Sequence, residues 1–340
     1  MHKDVKFYLG IDVSKPWFDI SLMPVVNHEK QPMLTERFDN TAEGIKQLHH
    51  WLKRMEVLFN ENSLLVIENT GVYHRLIWEY CSAHNLPIHI GNATHIKWSF
   101  GIARGKNDKI DSKRLCLYAF KQADELKATP ALNPALLQLK DLMTSRSRLL
   151  SQINSIKVYL NELKLSNSKE IQKLMEHSHK AAIEGLKKSI KLIERQIKQL
   201  IQNDPTIAKN YNLLISVPGI GHLTAVYIIC CTNNFIDKVT GKKLASYAGV
   251  VPFENTSGIS IKGRSKVHKM ANKDLKKLLH LCALVAINNY PEFKTYYERK
   301  KAEGKHSMSI INAVRNKIVL RVAAVINKQQ EYVDNYKNAA

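Results

Sequence analysis

Residues 7–11 form a short apolar run that stops at Asp12, the pattern of a buried strand. In residues 17–23, Phe18, Ile20 and Leu22 alternate with their neighbours, which predicts a second strand, and the four-residue link 13–16 predicts a hairpin between the two. Residues 34–38 offer a third strand. Asn40-Thr41 reads as a helix cap ahead of Ile45, Leu48, Leu52 and Met55 at helical spacing. A buried strand at 64–67 ends at Glu68, a helix at 73–84 leads to a short strand at 88–90, and a last helix covers 111–122. The reading is α/β to about residue 123.

The pattern then changes. Leu142, Leu149, Ile153, Ile156, Leu160 and Leu163 are spaced 7, 4, 3, 4 and 3, and Ile183, Leu186, Ile190, Ile193, Ile197 and Leu200 are spaced 3, 4, 3, 4 and 3. These are heptad seams of two helical arms, separated by a polar break at 166–168. Each arm of roughly 30 residues is about 45 Å long at about 1.5 Å per residue. The seams suit either a helical hairpin within one chain or pairing with a second copy. Asp204-Pro205 closes the region, and the unit from 205 to about 330 reads as helical and basic, with few strand signals.

Charge narrows the function. The chain has 340 residues, and 51 Lys and Arg against 30 Asp and Glu give a net charge of +21, which points to a polyanionic partner. No stretch is apolar enough to span a bilayer, and the charged N-terminal residues do not read as a signal peptide. Five unpatterned cysteines, with no C-x-x-C pair, suit a reducing cytoplasm and argue against a zinc site.

Four carboxylates stand out. Asp12 and Glu68 end strands, and Asp108 and Asp111 lie three apart at a helix start, where both share one face. Each has a plain structural reading, as a turn residue, a cap or a partner for neighbouring lysines. Together, within about 100 residues, they form the oxygen-only donor set that Mg²⁺ or Mn²⁺ requires, with no His or Cys cluster competing for a softer metal. Two such ions promote phosphodiester chemistry.

The C-terminal unit carries basic features. LLISVPGIG (213–221) places Gly219 and Gly221 in a turn before a helix, a seat for a phosphate. Residues 262–279 hold Lys262, Arg264, Lys266, Lys269, Lys273, Lys276 and Lys277 against Asp274 alone, either a solvated helix face or a phosphate-binding surface. Residues 294–317 mix Tyr296 and Tyr297 with Arg299, Lys300, Lys301 and Lys305, which suits either base stacking or core aromatics beside a charged face. Ser257 sits in a Ser/Gly-rich loop between helical segments, and its chemistry alone reads as a turn residue.

The motifs GIDVSK (10–15), IENTGVY (67–73) and KNDKIDSKR (106–114) resemble the three acidic blocks of DEDD transposases of bacterial insertion sequences. That group includes the Piv DNA invertase, and its catalytic domain is similar to the ribonuclease-H-type fold of RuvC resolvases. Asn107 and Ser112 stand where the family commonly has Thr and Ala. The segment 213–221 resembles a helix-hairpin-helix module. The stretch 244–279 resembles the family's C-terminal transposase domain, with Val250 and Lys276 in place of the commoner Leu and Arg.

The resemblance implies a RuvC-like catalytic domain (1–128), a helical coiled-coil region (129–204) and a mostly helical C-terminal transposase domain (205–340). It implies that Asp12, Glu68, Asp108 and Asp111 hold divalent metal, and that Ser257, in a Ser-Gly-x-x-x-x-Gly setting, is the nucleophile, with Ser260 the fallback. The expected partners are donor and target DNA, a structured guide RNA encoded in the element, and at least one further copy of the chain, in the bacterial cytoplasm at the nucleoid. The expected activity is DNA transposition or recombination. The first alternative is a metal-dependent junction resolvase or nuclease using water and no covalent intermediate. A sugar-kinase or actin-type ATPase needs a second Gly-rich phosphate loop that the chain lacks. A third alternative is a nucleic-acid-binding scaffold with an inert acidic site.

Overall fold

The structure, a computed structural model, describes residues 4–100, 108–131, 133–165, 168–236, 239–257, 261–267 and 270–333, and only the backbone at 254–257, 261–262 and 264–266. Contacts divide the chain into two compact units, Met1–Leu132 and Asn133–Ala340.

The first unit is built on a mixed sheet. Strands β1 (Val5–Val13), β2 (Trp17–Val26), β3 (Glu29–Lys30) and β4 (Leu34–Asp39) precede helix α1 (Ala42–Arg54), β5 (Ser63–Glu68), α2 (Arg75–Ala83), β6 (Ile88–Gly91), α3 (Ala93–Ser99) and α4 (Asp108–Lys121). The strand order is β3-β2-β1-β5-β6, with β4 also paired to β2. The β1–β2 and β2–β4 pairs are antiparallel, and β1, β5 and β6 run parallel. Alternation along β1 and β2 divides their side chains between the two faces. On one face Phe18 meets Phe38 at 5.8 Å, and Trp51 of α1 meets Phe38 at 6.1 Å. On the other, Tyr8, Met23, Val25 and Val66 pack against Leu115, Cys116 and Ala119 of α4. This mixed α/β unit is consistent with the ribonuclease-H-like fold expected from the motifs.

In the second unit, α5 (Pro134–Leu163) and α6 (Lys169–Asn203) are followed by α7 (Pro205–Ile215), α8 (His222–Cys231), α9 (Gly241–Tyr247), β7 (Phe253–Ser257), β8 (Ile261–Lys266), α10 (Lys273–Asn289), α11 (Pro291–Ala302) and α12 (Ser307–Lys328). The two long helices form an antiparallel hairpin. Arg146 bonds Glu194 at 2.8 Å, Tyr159 meets His179 at 5.7 Å, and Lys164 reaches Glu176 at 3.8 Å. That register sets Leu142 opposite Ile197, Leu149 opposite Ile190 and Ile156 opposite Ile183. The heptad positions are buried or half-buried while most of their neighbours are exposed. At the base of the hairpin, Leu136, Leu139, Ile197 and Ile201 join the core formed by α7 to α12.

Two expectations change. The C-terminal unit is mostly helical, as expected, and also holds an antiparallel hairpin of β7 and β8. Ser257 therefore lies at the end of a strand, opposite Ile261, and not in a loop between helices. Helix α4 begins at Asp108 and not Asp111, which puts both acids in its first turn.

Candidate active site

The site grows from two neighbouring strand ends. β1 and β5 run parallel in a register from Phe7↔Ser63 to Ile11↔Ile67, so Asp12 and Glu68 follow at the carboxyl ends of both strands. Alternation puts Asp12 on the same face as Tyr8 and Gly10, the face that α4 covers. Gly10 makes that close cover possible. A Cβ there would lie 2.1 Å from the backbone N of Cys116 and 2.4 Å from the carbonyl O of Ser112, so only glycine lets the helix approach. The Ser21 and Ser112 hydroxyls bond at 2.9 Å, and the Cys116 thiol donates to the Tyr8 carbonyl at 3.1 Å, fixing α4 along the strands. Its first turn then carries Asp108 and Asp111 to the strand ends. All four acids line one cavity of about 570 Å³, together with Lys97 and Arg114.

Charge is crowded in this cavity. The Asp12 carboxyl is pushed up from 3.8 to about 6, first by burial and then by the nearby charges of Asp108, Asp111, Glu68 and Asp19. Arginines compensate part of the excess. Arg114 donates to Asp111 at 2.8 Å, and Arg37 reaches both Asp19 and Asp108. Among the described residues, no three His, Cys, Asp or Glu side chains are drawn close enough, as placed, to enclose an ion. The donor chemistry nonetheless fits a hard divalent cation: four carboxylates share the cavity, and burial together with the neighbouring acids raises the pKa of one of them.

This crowding has a measurable consequence without metal. Between about pH 4 and pH 6 the folded chain keeps a proton on Asp12 that the unfolded chain has released, so stability falls as the pH rises through that window. At pH 7 in EDTA, Asp12→Asn is expected to raise stability by about 1–2 kcal/mol, less than the full shift because Asp12 is only partly buried and solvent screens the repulsion. At pH 4 the gain should vanish. Thermal melts of both proteins across this range check it, and equal melting temperatures at every pH would show that neither burial nor neighbouring acids destabilise the charged Asp12.

The remaining sequence-derived positions lie in the second unit. Gly219 has φ of +85°, and a Cβ there would meet the Cys282 carbonyl O at 2.6 Å, so this glycine is required by packing on α10. Gly221 caps α8 and faces open space. Lys262, Arg264 and Lys266 occupy alternate positions of β8. Lys273 and Lys277 are exposed and Lys276 half-buried on the first turns of α10, where Lys277 pairs with Asp274 at 3.2 Å. Ser260 and Lys269 lie outside the described residues, and Ser257 is described in its backbone alone.

The sequence reading missed Asp19, Arg37 and Trp17. Asp19 is fully buried beside the site, and Arg37 stands directly opposite it on β4. The available signal was a charged residue between Phe18 and Ile20, in a strand otherwise fit for burial.

Comparison with known proteins places the chain. Residues 9–164 match a family model for DEDD transposases, described as "Transposase", and residues 211–298 match one described as "Transposase IS116/IS110/IS902 family". The pilin gene-inverting protein of Moraxella bovis is 30% identical over 341 residues, covering 96% of this chain and 98% of that protein. An insertion element IS110 protein of Streptomyces coelicolor is 33% identical over 127 residues, covering 37% of this chain and 30% of its own. The transposase of element IS1328 from Yersinia enterocolitica is 27% identical over 150 residues, covering 41% of each chain. With the carboxylates of all three acidic motifs gathered at one cavity of its first unit, the chain belongs to the IS110 family of DEDD transposases and is a DNA transposase/recombinase.

Proposed function

We propose that the chain cuts and rejoins DNA at the ends of an insertion sequence through a serine-linked intermediate, guided by a structured RNA encoded in the same element. The observation that carries the metal-dependent part is the single cavity lined by Asp12, Glu68, Asp108 and Asp111. These residues would hold Mg²⁺ or Mn²⁺, which when bound assists the attacking oxygen and stabilises the leaving oxygen of a phosphodiester. The Ser257 Oγ attacks the scissile phosphorus and the bond from phosphorus to O3′ breaks. The O3′ takes up the proton that serine gives up, leaving a free 3′-hydroxyl and a 5′-phosphoserine. Attack by another 3′-hydroxyl reverses these steps and rejoins the strand, so no external energy source is needed.

Supporting the assignment of Ser257 is its place in the Ser-Gly-x-x-x-x-Gly motif, with Lys262 and Arg264 on the paired strand as candidates to hold the phosphate. Guide RNA is supported by the family resemblance and by a net charge of +21. The acids and the serine belong to different units, and the reading requires both at one phosphate. Exchange needs several strand cuts, so the working form is a homodimer or higher oligomer. Among the described residues no helix is long and apolar enough to cross a membrane.

The test is recombination with purified components: the chain, Mg²⁺, a plasmid carrying the element's joined ends, a target plasmid, and a transcript of the non-coding segment beside the coding sequence. Joined product is expected only when all are present. Cut DNA with no joining would favour the resolvase or nuclease reading. Joining that ignores the transcript would remove the RNA from the mechanism.

A further inference from the structure

Arg37 stands at the edge of the acidic site, held there by its own sheet. In the β2–β4 register Arg37 is directly opposite Asp19. Its guanidinium grips that carboxylate at two points, Nε to Oδ1 at 3.2 Å and Nη2 to Oδ2 at 2.7 Å. Asp19 is completely buried, so its charge needs this partner. The same guanidinium lies 4.9 Å from the ring centre of Trp17. Gripped by Asp19 and stacked on the indole, the guanidinium has little freedom to swing away.

The fixed group then touches a motif acid. Arg37 Nη2 lies 3.4 Å from Asp108 Oδ2, and Trp17 Nε1 lies 3.5 Å from the same oxygen. Both bonds are long, but they converge on one atom from two donors anchored in the sheet. Asp108 begins a helix and half its side chain is open to solvent, so its own backbone does not fix its rotamer. Asp12, opposite Asp19 in the β1–β2 register, repels it.

We propose that Arg37, assisted by Trp17, is a positioning residue that holds Asp108 by Oδ2 and so presents Oδ1 to the divalent cation. The inference rests on the proposed metal site. It assigns a role to two residues outside the acidic motifs. Groups that orient a ligating carboxylate typically matter by about 10- to 100-fold in metal affinity.

The test measures Mn²⁺ binding to the full chain by electron paramagnetic resonance, in wild type, Asp12→Asn, Trp17→Phe and the double variant Asp19→Asn/Arg37→Gln. The double variant is used because Arg37→Gln alone leaves the buried Asp19 charge unpaired and endangers folding. Trp17→Phe keeps a ring beneath Arg37 and removes only the N–H donor. Wild type should bind Mn²⁺ and Asp12→Asn should not. The double variant should bind about 10-fold more weakly, and Trp17→Phe more weakly than wild type by a smaller factor. Cleavage by the double variant should return to the wild-type rate at saturating Mn²⁺, which a merely damaged fold would not do. Binding as tight as wild type or tighter in both variants overturns the role of Arg37 and leaves the metal site standing. No Mn²⁺ binding by wild type overturns the metal site itself, and this proposal with it.

Discussion

Asp12→Asn and Glu68→Gln are each expected to lower strand cleavage by on the order of 10³-fold or more while leaving nucleic-acid affinity within about 2-fold. Both changes keep the shape of the side chain and remove its charge. Asp12 and Glu68 close the ends of two parallel strands beneath α4, where burial and neighbouring acids already push the Asp12 carboxyl to about 6. An amide there relieves repulsion, so the fold should tolerate it, but it cannot supply the negative charge that draws in a divalent cation. Binding is expected to depend on other residues. The chain carries a net +21, and the Lys and Arg run at 262–277 belongs to the second unit while the carboxylates belong to the first. Cleavage of end-labelled substrate in Mg²⁺, beside a filter-binding or gel-shift titration, separates the two effects. If either variant cleaves at the wild-type rate, the acids serve the fold alone. If binding falls together with cleavage, the acids act through folding or nucleic-acid contact, and the inert-scaffold reading gains ground.

Some of this site was legible in the sequence, for physical reasons. An acid that ends an apolar run marks the point where a buried strand meets solvent, so Asp12 and Glu68 could be read directly. The i, i+3 spacing of Asp108 and Asp111 needed only helical geometry. Heptad spacing gave both arms of the α5–α6 hairpin, since one stripe per arm had to be covered. The role of Gly10 was hidden, because a glycine in a strand does not announce which helix lies against it. The Asp19–Arg37 fork was hidden for a related reason. It depends on β2 and β4 pairing in one register, and residues 18 positions apart carry no local sign of that. The β7–β8 hairpin escaped because FENTS and IKGRSK show no apolar alternation. Without alternating apolar residues, the two strands leave no hydrophobic period to detect. Helix α3 has seven residues, too few to establish a helical period.

Ser257→Ala is expected to abolish covalent attachment of the protein to DNA while leaving substrate binding intact. The argument turns on where the energy of the broken phosphodiester goes. Attack by water releases a free 5′-phosphate and dissipates that energy, so rejoining would require a new source. Attack by a serine hydroxyl exchanges one phosphate ester for another of similar energy, and the strand can be resealed by simple reversal. Ser257 ends β7 opposite Ile261 at the start of β8. Lys262 and Arg264 follow Ser257 closely in the sequence, and positive charge stabilises the oxygens of an attacked phosphate. Alanine removes one hydroxyl and leaves a residue that a strand end accommodates, so binding and folding should survive. The measurement is a denaturing gel of end-labelled DNA, with peptide mapping of any adduct. Wild type should yield a protein-linked 5′ end, Ser257→Ala none, and Ser260→Ala an adduct at reduced yield. An adduct that persists in Ser257→Ala and disappears in Ser260→Ala would move the nucleophile three residues along the chain. Efficient cleavage by wild type without any adduct would mean that water is the nucleophile, and that rejoining, if it occurs, draws its energy from elsewhere.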